Sequence, residues 1–272
     1  MALPSYKELI HSALGKFGLE IRRLPKGTFR AGTRRHSQEL PLFLHALRRL
    51  QRHHFSLNTI IDVGASDARW SLGFADVLPG KVHLLLDANP VHTAALQRAC
   101  RFHPSWQYRI VAVGAENGTA YFDASDPMAG HLSARPASPA YEPCDARSLD
   151  TLVREAQVQG PFLIKLDTHG VEIPLLLGAR QVLNQTALVV AEVYNFSLGH
   201  PAVPFWEFCA FMAGLGFRPL DLYDVLYREV DRAFWQFDLI FARADLPLFD
   251  DHRFFCHAPA PIPESPNPAS RP

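Results

Sequence analysis

The feature that most constrains this chain is an alternation. Between residues 58 and 244, short apolar runs ending in a glycine or an acid take turns with segments of helical period. Residues 59–63, 82–86, 107–113, 162–166 and 188–193 read as buried strands. Residues 68–77, 90–101, 150–156, 172–183 and 205–215 read as helices, with Pro90 well placed in a first turn. Repeated strand–helix units imply a parallel sheet with helices on both faces. Residues 118–122 read as an additional strand after an Asn117-Gly118 turn. The last two runs, 217–222 and 235–242, have only a turn region, 223–232, between them. Without a crossover helix they form an antiparallel pair at one edge.

The flanks differ from this middle. Residues 1–57 read as short helices, over 6–17 and 40–50, joined by a basic loop over 22–35. Residues 245–272 form a tail, proline-rich and disordered from about 257, which leaves 58–244 as the main domain. The chain carries 27 basic and 27 acidic residues, yet residues 1–55 hold eleven lysines and arginines against three acids, a net +8. The remainder carries sixteen against twenty-four, a net −8. A solvated basic face is the plain reading, and an anionic group contacting the N-terminal segment is the functional one. Nucleic acid is a poor fit for a core that is acidic.

Cys100, Cys144, Cys209 and Cys256 form no C-x-x-C pair, which argues against zinc or a redox pair. Charged residues scattered through 1–20 break any signal-peptide apolar region, and the richest apolar stretch, 205–217, is too short to span a bilayer. A cytoplasmic protein with no transmembrane segment is expected.

In open α/β sheets, ligands bind outside the carboxyl ends of the strands, so polar residues there carry the chemistry. The first strand ends in Asp62-Val63-Gly64-Ala65-Ser66-Asp67-Ala68. A turn of small residues lets backbone N–H groups approach a ligand, and the helix after it favours a carboxylate at its start. The turn is not G-x-G-x-x-G, which weakens a dinucleotide reading. Asp87 closes the second strand, where a carboxylate can accept from both hydroxyls of a ribose or cap the next helix. A third group, Lys165-Leu166-Asp167-Thr168-His169-Gly170-Val171-Glu172, crowds the end of a central strand, and Glu192 adds an acid at the next strand end. Burying so many charges is costly unless they are paired or have a task. His169 and Glu172, three apart, are too sparse a signal for a metal, and none is expected.

These segments together resemble the FkbM family of S-adenosylmethionine-dependent methyltransferases. The likeness lies in IIDVGAS (60–66), Asp87 followed by Asn89-Pro90, Asn117-Gly118-Thr119, SLDTL (148–152), IKLDTHGVEIPLLLGA (164–179) and WQFDLIF (235–241). It covers roughly residues 58–243, and the 164–179 block is its most specific part. Ser66 and Ala68 stand where the family commonly has Asn and a second Gly, Asp87 where it has Glu, and His169 where it has Glu.

The resemblance implies a Rossmann-like class I methyltransferase sheet with an N-terminal helical extension. It implies S-adenosylmethionine as cofactor and a hydroxyl on a sugar, glycan or natural product as acceptor. Asp62, Gly64, Ala65, Ser66 and Asp87 are then expected to hold the cofactor. Asp167 and His169 are expected beside the methyl group, with His169 as general base or as the residue that orients the acceptor hydroxyl. An RNA methyltransferase and a non-catalytic protein built on the same fold are the alternatives.

Overall fold

The computed structural model describes residues 39–125, 130–133, 135–136, 138–198 and 202–254. The expected helix over 6–17, the basic loop and the tail beyond 254 lie outside them. The chain divides into a unit of residues 1–35 and a unit of residues 36–272, and all the described elements belong to the second.

Helix α1 (Glu39–Gln51) comes first, then β1 (Thr59–Val63), α2 (Arg69–Val77) and β2 (Val82–Asp87). A 3₁₀ turn (Pro90–His92), α3 (Thr93–Phe102) and β3 (Gln107–Ile110) come after them. Four short strands are next: β4 (Ala112–Gly114), β5 (Gly118–Asp123), β6 (His131–Ser133) and β7 (Tyr141–Ser148). The alternation resumes with α4 (Leu149–Ala156), β8 (Phe162–Leu166), α5 (Glu172–Leu177), α6 (Arg180–Leu183), β9 (Thr186–Tyr194) and α7 (Phe205–Gly214). The hairpin β10 (Phe217–Tyr227) and β11 (Phe234–Arg243) ends the core.

The main sheet has seven strands in the order β10-β11-β9-β8-β1-β2-β3. Strands β9, β8, β1, β2 and β3 are mutually parallel, and β11 runs antiparallel to both β9 and β10. Counting only its own strands along the chain, the sheet reads 3-2-1-4-5-7-6. A dinucleotide-binding Rossmann sheet reads 3-2-1-4-5-6. The last strand, slipped antiparallel between the fifth and sixth, makes this the Rossmann-like class I methyltransferase sheet.

Side chains alternate across a strand, and that period sorts the core into two faces. Ile61, Val63, Ile164, Leu166, Val189, Ala191, Leu239 and Phe241 pack with α4 to α7. Ile60, Leu163, Leu188, Val190, Ile240 and Ala242 pack with Phe43, Leu47 and Leu50 of α1 and with Phe74 and Val77 of α2. Helix α1 therefore belongs to the core of this unit.

Three expectations need correction. The strand over 107–113 is two: β3 ends the main sheet, and β4 opens a second, four-stranded sheet of order β4-β7-β5-β6. Strand β7 is not legible along the chain because its sequence, YEPCDARS, is mostly exposed and lacks apolar alternation. Its Pro143 pairs with Tyr121 of β5 on one side and lies beyond the reach of β4, which pairs only with Ala146–Ser148, on the other. The helix over 172–183 breaks at Gly178. A Cβ there would lie 2.5 Å from the Gly114 carbonyl oxygen, and the Gly178 carbonyl accepts from Asp150 N–H at 3.2 Å. Finally, the run at 217–222 continues to Tyr227 through irregular pairing, so half of the supposed turn is strand.

Candidate functional site

The sheet reverses direction of winding between β8 and β1, which is where a ligand crevice is expected in such a fold. A cavity of about 330 Å³ opens there, a size suited to a small-molecule site. Gly64, Ser66, Asp87, Asp167 and His169 all line it, five of the seven residues expected in the site.

The turn after β1 is built differently from expectation. Gly64, Ser66 and Ala68 all have positive φ, at 79°, 47° and 67°. Gly64 is required twice over, by that φ and because a Cβ would lie 2.0 Å from the Asp167 carbonyl oxygen. The N–H groups of Gly64 and Ala65 donate to Leu86 O at 2.9 and 3.1 Å, and Ser66 N–H donates to Asp87 Oδ2 at 2.7 Å. Those amides are thus used within the fold and are not the open cradle that small residues suggested. Asp87 Oδ1 accepts from Asn89 N–H at 2.8 Å. Burial raises the Asp87 pKa despite these two donors.

Asn89 was not among the expected site residues. It is 3% exposed and lines the cavity, and its Oδ1 accepts from Val91 N–H at 3.1 Å. Its Nδ2 is buried and has no hydrogen-bond partner among the described residues. A buried amide donor left without a partner is costly.

Asp62 and Ala65 do not line the cavity. Ala65 packs with Leu85 and Leu96. Asp62 is fully buried on the sheet face covered by α1 and α2, where its Oδ2 accepts from Ser71 Oγ at 2.8 Å. Its Oδ1 lies 3.6 Å from Lys165 Nζ, and that ammonium lies 2.9 Å from Asp167 Oδ2. The Trp70 ring sits 4.5 Å from the same Nζ. Burial alone would lower the Lys165 pKa, but Asp167 and Asp62 carry it upward. For Asp167, burial is the largest influence and works upward, but Lys165, His169 and Glu192 together outweigh it and hold the carboxyl below its ordinary range.

The same sheet face that is apolar under α1 and α2 turns polar at its top. Lys165 on β8, Glu192 and Tyr194 on β9, and Gln236 and Asp238 on β11 continue the alternation of the buried apolar residues below them. Glu192, Gln236 and Asp238 line the cavity with Asp224 of the hairpin. The Glu192 carboxylate accepts from the Tyr194 hydroxyl through Oε2 and from the Gln236 amide through Oε1. Burial raises the Glu192 pKa well above the usual range, with Asp167 and Asp238 adding to it. Asp238, 9% exposed, is pushed the same way by burial and then by Asp167. One signal for these residues was present: polar side chains at 236 and 238, two apart inside an apolar strand, share a face.

His169 occupies the loop after β8 at φ 53°, with Gly170 next to it at φ 110°. A non-glycine residue held in that region costs of order 1 kcal/mol and concentrates at functional sites. Glu172 Oε1 accepts from Gly170 N–H at 3.0 Å and from Thr168 Oγ1 at 3.1 Å, so Glu172 braces the loop. His169 Nδ1 lies 3.1 Å from the Tyr194 hydroxyl and 3.5 Å from Glu192 Oε2, and Nε2 lies 3.9 Å from Asp167 Oδ1. Ligand-capable atoms of Asp167, His169 and Glu192 fall within 4.8 Å of one another, close enough to hold a metal ion. Lys165, Tyr194 and Gln236 already serve those groups.

The sequence matches no protein-family model and no curated protein. Among solved structures, it is similar to a provisionally assigned O-methyltransferase from Klebsiella pneumoniae, at 14% identity and TM-score 0.46, covering 87% of this chain and 89% of that one. It is also similar to the N-terminal domain of EvdMO1 with SAH bound, at 13% identity and TM-score 0.45, covering 88% of this chain and 98% of that one. The chain spans 47% of the longer EvdMO1 chain, at 13% identity and TM-score 0.41 over 87% of its own length. The strand order, rather than these distant likenesses, defines the fold. No helix among the described residues is long and apolar enough to cross a membrane.

Proposed function

We propose that this protein binds S-adenosylmethionine in the crevice between β1 and β8 and methylates a hydroxyl group on a sugar-like or natural-product acceptor, as the FkbM resemblance implies. The observation that carries the cofactor reading is the pairing of Asp87 with the orphaned Asn89 amide at the end of β2. An acceptor carboxylate beside an unused donor suits a ribose, whose hydroxyls both give and take hydrogen bonds. Val111, Val113, Phe122 and Leu132 supply an apolar wall on the same side, suited to a flat base. Gly64 and Ser66 line the crevice between these groups and Asp167.

When bound, the cofactor supplies a methyl carbon on a positively charged sulfur. The residues of this chain do the rest. The carboxyl groups of Asp167, Glu192, Asp224 and Asp238 crowd one wall of the crevice, where a positive charge would draw the raised Glu192 and Asp238 back toward their ionised forms and an anionic acceptor is disfavoured. His169, beside Asp167, would receive the proton that the acceptor hydroxyl gives up as its oxygen takes the methyl group and the sulfur leaves as a neutral thioether. Asp167 then steadies the resulting imidazolium. Holding hydroxyl, base and methyl in line accounts for the remaining rate gain.

Calorimetry with S-adenosylhomocysteine tests the reading. Wild type binds. Asn89→Ser keeps an oxygen for Val91 N–H and deletes only the unused amide donor, so affinity falls by about 1–2 kcal/mol while stability holds. Asp87→Ala loses about 1.5–3 kcal/mol of binding. A folded wild-type protein that shows no heat of binding with either the cofactor or its demethylated product removes the reading.

A further inference from the structure

Tyr194 has no assigned part in this site and Glu192 only a share in its acidic wall, yet their geometry bears on the one thing His169 needs in order to act as a base. A neutral imidazole carries one proton, on Nδ1 or on Nε2, and only the bare nitrogen accepts another. Which nitrogen is bare depends on what the other one touches.

With Glu192 in its ionised form, which its two donors Tyr194 and Gln236 favour, the hydrogen-bond directions follow from the carboxylate outward. Both Glu192 oxygens accept: Oε1 from the Gln236 amide, Oε2 from the Tyr194 hydroxyl. A phenol has a single proton, and that of Tyr194 is spent on Glu192. Its oxygen can therefore only accept from the ring nitrogen 3.1 Å away, which is His169 Nδ1. Tyr194 is 6% exposed, so no bulk water competes for the contact. The opposite nitrogen, Nε2, lies 3.9 Å from Asp167 Oδ1, beyond hydrogen-bond length. A proton on Nε2 would favour closing that gap, and a bare Nε2 does not.

We infer that Tyr194 and Glu192 are positioning residues that hold His169 with its proton on Nδ1 and its Nε2 lone pair open to the cavity. The inference rests on the reading of His169 as the proton acceptor of the reaction. In that role, Nε2 takes the proton from the acceptor hydroxyl. The doubly protonated ring then faces carboxylates on both sides, Glu192 through Tyr194 at Nδ1 and Asp167 at Nε2. Gln236 has a part too, since it occupies Oε1 and directs Oε2 to the phenol.

The test reads the tautomer directly and needs no acceptor substrate. Histidine labelled with heavy nitrogen is incorporated into the full chain. The His169 ring is assigned by its disappearance in His169→Gln and observed by magnetic resonance at about pH 8.5, where a free imidazole is neutral. Wild type should show a protonated Nδ1 and a bare Nε2. In Glu192→Leu the phenol proton is released to point at the ring, and the population should move toward protonated Nε2. A wild-type ring protonated on Nε2 would overturn the inference, as would a tautomer unchanged in a folded Glu192→Leu protein. Should that variant not fold, the wild-type spectrum alone decides. Binding of S-adenosylhomocysteine, measured on the same samples, tests the underlying reading separately. Binding with the wrong tautomer sinks only this inference, and the right tautomer without binding sinks the reading.

Discussion

His83 illustrates what one buried side chain does to the whole protein's response to acid. It is fully buried on β2, both ring nitrogens lack a hydrogen-bond partner among the described residues, and it stacks on Trp106 at 4.0 Å between centroids. Burial, with a smaller push from His103, lowers its pKa to about 3. The unfolded chain therefore takes up a proton near the ordinary histidine pKa of 6.5, and the folded chain does not until about 3. Stability from this residue is fully present above that upper value and is lost as pH falls through the window, by about 1.4 kcal/mol per unit. Urea unfolding should show His83→Leu losing about 2 kcal/mol less than wild type between pH 7 and 5. Equal losses would mean that His83 is protonated in the fold. Lys165 makes the opposite case, a buried charge that is paired. Lys165→Met leaves Asp62 and Asp167 facing each other without a cation, and a loss of about 3–5 kcal/mol is expected in the same assay.

At the scale of elements, the break between α5 and α6 shows how packing edits a helix that the sequence would have continued. Residues 172–183 carry a helical period, but Gly178 lies against the backbone of Gly114 and Ala115. Gly178→Ala places a methyl 2.5 and 2.6 Å from those two carbonyl oxygens. It should cost about 1–3 kcal/mol by chemical denaturation even though alanine is the better helix former. A stabilised variant would mean that the break is set by the local sequence alone. The loop after β8 obeys the same logic. Its positive φ at His169 is held by Glu172, which accepts from the Gly170 amide and the Thr168 hydroxyl.

For the whole molecule, α1 is the telling element. Phe43, Leu47 and Leu50 are buried against Ile60, Leu163, Leu188 and Ile240 of the sheet. Each such side chain contributes about 1.5–3 kcal/mol by its burial, and together they rival the net stability of a typical domain. A chain beginning at residue 53 should therefore be insoluble, or melt far below the full chain in a thermal scan. An unchanged melting temperature would make the helix dispensable.

What the sequence determined by itself was the periodicity and the strand ends. Buried runs such as TIIDV and FLIKL, alternating with segments of helical period, suit interior parallel strands, whose polar ends then gather at one edge. The fold class, and the gathering of Asp87, Asp167 and His169 beside Gly64, came from that. What only the tertiary structure decided was which side chains face the crevice and which face one another. Asp87 closes its strand, whereas Asp62 stands one residue before the end of its own, and the two-residue period turns it under the sheet toward Lys165, whose buried charge claims it. Asn89 figured in the sequence only beside Pro90 in the family likeness, and its unused amide became visible only in the folded structure. Tyr194, Gln236 and Asp238 come from strands that the sheet order sets side by side, and no spacing along the chain encodes that adjacency. Local sequence fixes period and turn chemistry because neighbours along the chain interact at fixed distance, whereas contacts between distant strands exist only after the sheet has closed.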